Sequence, residues 1–542
     1  MATVDETIAP TAPPTRLQSL FARFEDLLAR LSEHLNPILV KEARQALKSR
    51  QFTITFILVL LAGWCWSILG IALIGPGVYW SADGPSMFYG YFLILAFPLI
   101  VIVPYGAYRS LASEREDRTY ELLSITTLKP RQIIGGKLAG ATLQMIVYLS
   151  AISPCLAFTY LLRGLDILTI GMIIVYLCLA SLGLSMFCLL LATGTSEKYQ
   201  QVVLSVAIVF GLAAALICAY VIAIQLLSFN AGFDDEEFWV VNAAFFSVYA
   251  SYFALFFLSA ASQISFPGSN RSTPLRIVTL VQQALLLAWF GGFWTLDTPD
   301  MEVLVAPLIL LGIHWYAMGI FMTGEPRELS PRVKRDLPQS FLGRTFLTWF
   351  NPGPASGYVF ALTNYCGACV FVLGTMVIVA LTRGFGKPDQ VLLTCSLGLS
   401  YLAIYLGMGR LLLGWIGRYV AAAVAIRFIF HLVLLFLGTM IPLTIQLTIP
   451  FLRDNGYTLL QISNPFWTMN EAVENAPSYE VWGAAWILGF AGAVVFAINL
   501  PAIAEEVRQL RIAAPTRVAE EDAEQAAAAA AAVGPIKTNP WD

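Results

Sequence analysis

The chain has 542 residues, of which 58% are hydrophobic and only 12% are charged. A water-soluble domain carries about 25% charged residues, so the composition excludes a soluble globular protein as the bulk of this chain. The net charge of −3 is uninformative by itself because the charges are sorted by location along the sequence, and we expect no nucleic-acid partner.

The apolar residues come in long blocks, each close to the roughly 20 residues that a helix needs to cross a bilayer. These blocks predict an all-α polytopic membrane protein with about twelve transmembrane helices. The predicted spans lie at 52–74, 88–108, 138–162, 167–193, 201–227, 239–261, 275–293, 302–322, 358–382, 389–409, 419–447 and 481–503.

Residues 1–51 form a polar arm without a signal peptide, and the arm predicts two helices. Apolar residues recur at helical spacing from Leu17 to Leu35, which predicts an amphipathic helix lying in the inner membrane interface; a soluble docking helix is the alternative. Asn36 and Pro37 then start a second helix. This helix carries three cations on one face that suit lipid phosphates: Lys41, Arg44 and Lys48.

The distribution of cations predicts the orientation of the chain. With the N-terminus in the cytoplasm, the inside segments hold about 27 of the 32 Lys and Arg residues. Arg427 lies inside a predicted span, and the outside loops hold only Arg163, Arg383, Lys387 and Arg453. Both termini are therefore predicted to be cytoplasmic.

A charged segment at 113–128 follows the second span, which is predicted to end near Tyr108 and Arg109. Ser113 and Glu116 match a capping box, which predicts that a new helix starts there. The segment is too charged to lie in lipid and carries too many leucines to float free in water. A protein partner on its outer face is the natural complement, and an ordinary surface loop is the alternative.

This segment resembles the type-2 ABC transporter permeases, the membrane subunits of ATP-driven exporters. That family has an acidic helix after its second span, followed by T-x-E-L-L, a proline and a G-K-L that opens the third span. The matching residues are Glu114, Arg115, Glu116, Thr119, Glu121, Leu122, Leu123, Gly136, Lys137 and Leu138, and Pro130 lies near the family's proline position. Residues 36–50 are similar to the family's amphipathic connecting helix. Arg118 and Thr127 depart from the family, which usually has Gly and Pro there.

The resemblance implies a coupling helix that docks on a cytoplasmic ABC ATPase, which works as a dimer and holds ATP and Mg²⁺. It also implies export across a bacterial cytoplasmic (inner) membrane. The chain itself would hold no cofactor and would not be an enzyme. The residues to which the resemblance assigns coupling are Glu114, Arg115, Glu116, Arg118, Thr119, Glu121, Leu122 and Leu123.

The second half contains ISNPFWTMNEAVE at 462–474, within an external loop at 448–480. It is similar to a family element that forms short external helices before the last span; a plain aromatic belt is the alternative. We expect six-span units at 52–265 and 266–510, followed by an Ala-rich cytoplasmic tail at 511–542 that is a frayed helix or disordered.

Two layouts of these units stay open. The chain is either an internal pseudo-dimer of two fused permeases or one permease with inserted spans, and self-association is a further alternative. Under the first layout a degenerate second coupling position would lie at 323–343, with the cations Arg327, Arg332, Lys334 and Arg335.

The sequence lacks a P-loop, since its nearest string, Gly135 to Leu138, has neither the first glycine nor the hydroxyl residue. Energy must then come from another subunit or from an ion gradient. An ion-driven carrier of about twelve spans is the alternative function, but it predicts buried carboxylates that the spans lack. A membrane-embedded transferase or protease would need a polar constellation near the membrane face, and only the external acidic cluster at 234–237 comes close.

Overall fold

A computed structural model of the protein describes most of the chain between residues 37 and 532, and every regular element in the described part is helical. Twelve of these helices are long and apolar enough to cross a membrane, as the sequence predicts. The described residues are 37–76, 80–117, 128–194, 198–228, 236–266, 268–296, 301–326, 329–335, 337, 340–383, 388–416, 424–453, 456–474, 479–511 and 516–532.

The chain divides into two compact units, Met1–Phe238 and Trp239–Asp542. Five of the long helices belong to the first unit, and the sixth begins at the boundary and continues in the second. The division into six-span units at 52–265 and 266–510, and the choice between the two layouts, stay predictions.

The first unit begins with a short helix, α1, at Pro37–Lys48. The predicted start at Pro37 is confirmed, whereas the predicted interfacial helix over 17–35 lies outside the described residues. Ser49 separates α1 from the first long helix because its hydroxyl accepts the amide hydrogen of Phe52 and caps that helix. The long helices of this unit are α2 (Arg50–Ile74), α3 (Gly84–Phe97) continued by α4 (Val103–Glu116), α5 (Pro130–Leu161), α6 (Ile167–Thr193) and α7 (Lys198–Ser228).

The second span is a composite helix. A π-helical turn at Pro98–Ile102 joins α3 to α4, and the three pieces run continuously over Gly84–Glu116. The span packs differently on the two sides of this turn. On the N-terminal side α3 lies against α5, α2 and α7, whereas on the C-terminal side α4 lies mainly against α6. The core of the unit is therefore centred on the second span, whose middle residues Leu99 and Ile100 are fully buried.

The second unit is built around the tenth span of the chain, which packs against five other helices and contributes the largest number of buried residues. Glycines permit close contacts in this core, as at Gly409, where a Cβ atom would collide with the His431 ring. The long helices are α8 (Glu236–Gln263), α9 (Thr273–Leu296), α10 (Met301–Thr323), α13 (Pro354–Arg383), α14 (Pro388–Ile416), α15 (Val424–Thr448) and α18 (Tyr479–Arg511). The short helices are α11 (Pro331–Arg335), α12 (Phe341–Leu347), α16 (Pro450–Arg453), α17 (Pro465–Glu474) and α19 (Thr516–Ala532), with 3₁₀ turns at Thr348–Phe350 and Leu459–Ser463.

The segment before the last span contains the short helices that the sequence predicts at 462–474. The Asn464 side chain accepts the Trp467 amide hydrogen, and Pro465 occupies the first turn of α17. Gln461 is fully buried and donates to Gln446 on α15 at 2.7 Å. These contacts hold the segment against the spans, which a plain aromatic belt would not require.

The Ala-rich tail forms a helix, α19, over Thr516–Ala532, so the disordered alternative does not apply to these residues. Alanine has the highest helix propensity, which accounts for an exposed helix here. Residues 533–542 lie outside the described part of the chain.

Candidate functional site

The charged segment at 113–128 is described only at its two ends, residues 113–117 and Leu128. Three of the predicted coupling residues lie in the last turn of α4: Glu114, Arg115 and Glu116. The other five lie outside the described residues, and their role stays a prediction: Arg118, Thr119, Glu121, Leu122 and Leu123.

The predicted capping box at Ser113 and Glu116 does not start a helix. Both residues belong to the last turn of α4, and the amide of Asp117 still donates to the Ser113 carbonyl at 2.9 Å. The reason is local, because the sequence from Tyr108 to Glu116 contains neither Pro nor Gly to end the helix. The span is 33 residues long, or about 50 Å at 1.5 Å per residue, which exceeds the roughly 30 Å of a hydrocarbon core.

Lys137, in the third turn of α5, is the centre of a buried ionic junction. Its side chain is only 1% exposed and lies 2.8 Å from Glu42 of α1 and 3.0 Å from Glu114 of α4. The ammonium also donates to the Ser110 carbonyl at 3.0 Å. On the far side of Glu114, Lys41 of α1 donates to the same carboxylate at 2.8 Å. Three helices are thus joined by four charged side chains, which we call the lysine junction.

The charges of the lysine junction balance, with two ammonium groups against two carboxylates. This balance matters because moving an ion out of water costs several kcal/mol unless opposite charges and hydrogen bonds compensate. The hydrogen bond to Glu114 raises the pKa of Lys41 above its ordinary value. Lys41 therefore stays charged at neutral pH and contributes its full charge to the lysine junction, with a side chain that is still 50% exposed.

Gly140 allows α1 to approach α5 closely enough for these contacts. A Cβ atom at this position would lie 3.0 Å from the Glu42 Cβ, which is tighter than nearly all real contacts. Ile38 is the buried apolar residue of α1. The close approach at Gly140 and the burial of Ile38 thus position α1, and the ion pairs of Glu42 and Lys41 hold it in place.

The structure separates the three cations that the sequence assigns to lipid phosphates. Lys41, Arg44 and Lys48 all lie on the exposed side of α1. Lys41 nevertheless binds Glu114 and contributes to the lysine junction. Contact of Arg44 and Lys48 with lipid stays a prediction.

The last turn of α4 is also tied to the fourth and fifth spans. Arg115 donates to the Thr193 carbonyl at 2.6 Å, satisfying a group at the C-terminal end of α6. Glu116 lies 3.2 Å from Lys198 at the start of α7, in a largely exposed pair. The predicted coupling residues that are described therefore contact four other helices through their charged ends.

A second buried cation lies in the other unit. Arg276 of α9 is fully buried and binds Glu325 at 2.6 Å. The same guanidinium donates to the Trp349 and Gly353 carbonyls and to the Ser356 hydroxyl. Glu325 in turn accepts the Gly353 amide hydrogen at 2.8 Å. We call this set the arginine cluster, and it closes the turn that precedes α13.

Glu506 of α18 caps the start of α13. Its carboxylate accepts the amide hydrogens of Ala355 at 2.9 Å and Ser356 at 2.8 Å. Such amides have no partner within their own helix, and a negative charge at a helix N-terminus is favourable. The arginine cluster and this cap together fix the start of the ninth span to the seventh and twelfth.

The degenerate coupling position at 323–343 stays a prediction under the fused layout. Arg332 and Lys334 are exposed on the five-residue helix α11, and Arg327 lies outside the described residues.

The Gly135–Leu138 string lies inside α5, so its amides are part of a helix and cannot cradle a phosphate. All eight cysteines are free thiols.

Sequence reasoning missed Glu42 as a site residue and recognised Lys137 only as part of the G-K-L string that opens the third span. Two signals were available: Glu42 is the acidic residue among the cations of α1, and Lys137 stands in an otherwise apolar stretch. Their contact joins residues 95 positions apart, so helix periodicity could not reveal it.

Comparison of the chain with protein-family models, with curated proteins and with solved structures gave no match.

Proposed function

We propose that this chain is the membrane-spanning permease subunit of an ABC exporter, driven by a separate cytoplasmic ATPase that works as a dimer. The family resemblance of residues 113–138 motivates the proposal. The observation that carries it is the lysine junction, since it firmly anchors both ends of the segment expected to meet the ATPase.

Through the lysine junction, a displacement of residues 118–127 would be transmitted to the spans. The segment follows α4 in the chain, and the end of α4 is held by Lys137 and Lys41. The other end of the segment continues into α5 through Lys137 itself, and α1 is attached to both by Glu42. A push on the segment would therefore move α1, α4 and α5 together and bend the second and third spans.

In this proposal the chain performs no covalent chemistry. ATP and Mg²⁺ belong to the ATPase, whose closure on nucleotide would push the segment. The bilayer surrounds the twelve long helices, and both termini face the cytoplasm. Transport is outward, as the family resemblance implies.

Retention of the ATPase by the full-length chain from native membranes tests the proposal. We expect a P-loop ATPase to co-purify with the wild type and to be lost with Glu121→Arg, because charge reversal disrupts a docking surface. Glu520→Arg is the matched control, since it reverses an exposed acidic residue on α19. Equal recovery of the ATPase with Glu121→Arg and with wild type would contradict the coupling role. Solute movement by the purified chain on a proton gradient alone would instead support the ion-driven alternative.

A further inference from the structure

The π-helical turn of the second span leaves one carbonyl without a partner in its own helix. In this turn the Val103 amide donates to the Pro98 carbonyl, five residues back. The same pattern would pair the Leu99 carbonyl with the amide of residue 104, but residue 104 is a proline and has no N–H group. In a span, an unsatisfied carbonyl costs several kcal/mol.

The fourth span supplies the missing donor. The Ser181 hydroxyl of α6 donates to the Leu99 carbonyl at 2.6 Å, and Ser181 is fully buried. The bond crosses between helices in a place where water cannot replace it. Bending at this turn therefore breaks no main-chain hydrogen bond of Leu99, since that carbonyl is already held from outside the helix.

The two halves of the second span form side-chain hydrogen bonds to different neighbours, although both also pack against α5 and α7. On the N-terminal side of the turn, α3 is hydrogen-bonded to α2. The Tyr91 hydroxyl lies 2.7 Å from the Ser67 hydroxyl, and the Trp66 indole donates to the Met87 carbonyl. Gly90 faces the Trp66 indole so closely that a Cβ atom there would force the ring to move.

On the C-terminal side of the turn, α4 is hydrogen-bonded to other helices. Tyr105 and Tyr108 bind Ser205 and the Gln201 carbonyl of α7. Arg115 binds the end of α6. This arrangement favours a hinge, because separate hydrogen bonds hold the helix on each side of a weakened turn.

We propose that Pro98–Val103 is the hinge of the second span and that Ser181 is its positioning residue. About this hinge α4 moves with α6, while α3 stays with α2. The part that this motion plays in transport rests on the proposed function, whereas the hinge itself does not.

Hydrogen–deuterium exchange on the full-length protein in lipid nanodiscs tests the hinge. Ser181→Ala should speed exchange in peptides covering 98–105 by about fivefold, the factor that corresponds to one hydrogen bond of about 1 kcal/mol. Ser181→Thr keeps a hydroxyl and should restore slow exchange. Ser185→Ala is the matched control, because Ser185 is equally buried but donates to the Ser181 carbonyl of its own helix.

Pro104→Ala makes the test specific. It supplies the amide that Leu99 lacks, so Ser181→Ala should change exchange little in this background, as a double-mutant cycle would show. An equal effect of Ser181→Ala in both backgrounds, or faster exchange spread over all spans, would overturn the proposal. Should Ser181→Ala fail to fold, slower exchange at 98–105 in Pro104→Ala alone supports it, and unchanged exchange opposes it.

The hinge and the proposed function can fail separately. If ATPase is retained, Pro104→Ala should keep that retention and lose transport. If the ATPase is retained but neither Ser181→Ala nor Pro104→Ala changes exchange at 98–105, the hinge alone is overturned. The expected exchange changes without a bound ATPase overturn the permease role and leave the hinge standing.

Discussion

The lysine junction and the arginine cluster each bury one cation, yet they are built from different partners. Lys137 is held mainly by the carboxylates of two other helices. Arg276 binds one carboxylate but also two carbonyls and a hydroxyl of a single turn. A lysine is a point charge on a flexible stem, whereas an arginine is a rigid planar fork. The first site can rearrange as its helices move, and the second fixes one geometry.

The difference fits the positions of the two sites in the chain. The lysine junction lies beside the segment proposed to receive force from an ATPase. The arginine cluster lies at the start of α13, where Glu506 already caps the helix. One site therefore suits a moving joint and the other a fixed anchor, and each can be tested by removing its cation.

Arg276→Met should have the largest effect. It leaves the Glu325 carboxylate, only 16% exposed, without its cation and removes the donor to two backbone carbonyls, so we expect a loss of about 3–5 kcal/mol in stability. Arg276→Lys should rescue little, because lysine lacks the fork. The midpoint of thermal unfolding in detergent measures both. Arg332→Met, at an exposed site of the same unit, is the control; a midpoint for Arg276→Met equal to that control would contradict the anchor.

Lys137→Met should have a smaller and more local effect. Glu42 and Glu114 are 12% and 13% exposed. Only one backbone carbonyl loses its donor, and Glu42 can regain water once α1 moves away, so we expect a loss of about 2–3 kcal/mol. Faster hydrogen–deuterium exchange in peptides covering 37–48 would show the release of α1.

The matched control for Lys137→Met is Lys129→Met, an exposed lysine just before α5. The triple variant Lys137→Met, Glu42→Gln and Glu114→Gln removes the stranded charges and should recover most of the lost stability. Unchanged exchange of α1 in Lys137→Met would show that the junction does not hold this helix.

Much of the fold follows from local sequence signals. Each long helix coincides with an apolar block, Pro37 marks the start of α1, and Asn464 and Pro465 mark the start of α17. These features depend on neighbouring residues only, which is why hydrophobic runs and caps reveal them.

The buried ionic sites follow from contacts that no local pattern contains. Glu42 meets Lys137, and Arg276 meets Glu325, only once distant helices pack in one register. Continuation of α4 through Ser113 was also hidden, because a capping box and an ordinary helical turn can share the same letters. The family resemblance drew attention to residues 113–138 but did not predict these pairs.

The smallest effect is expected at the exposed pair of the same region, Lys198 and Glu116, because solvent screens it. Lys198 is 80% exposed, and its ammonium lies 3.2 Å from the Glu116 carboxylate. Lys198→Ala should therefore change stability by no more than about 0.5 kcal/mol. The change should also shrink further when salt is raised.

Thermal unfolding of Lys198→Ala beside Lys137→Met, at low and high salt, separates burial from charge. Both variants remove one lysine that binds a glutamate of α4, so a simple count of ion pairs predicts equal losses. Burial predicts a large, salt-insensitive loss for Lys137→Met and a small, salt-sensitive one for Lys198→Ala. Equal losses would mean that the lysine junction owes its strength to charge alone, and the distinction drawn between a moving joint and a fixed anchor would lose its physical basis.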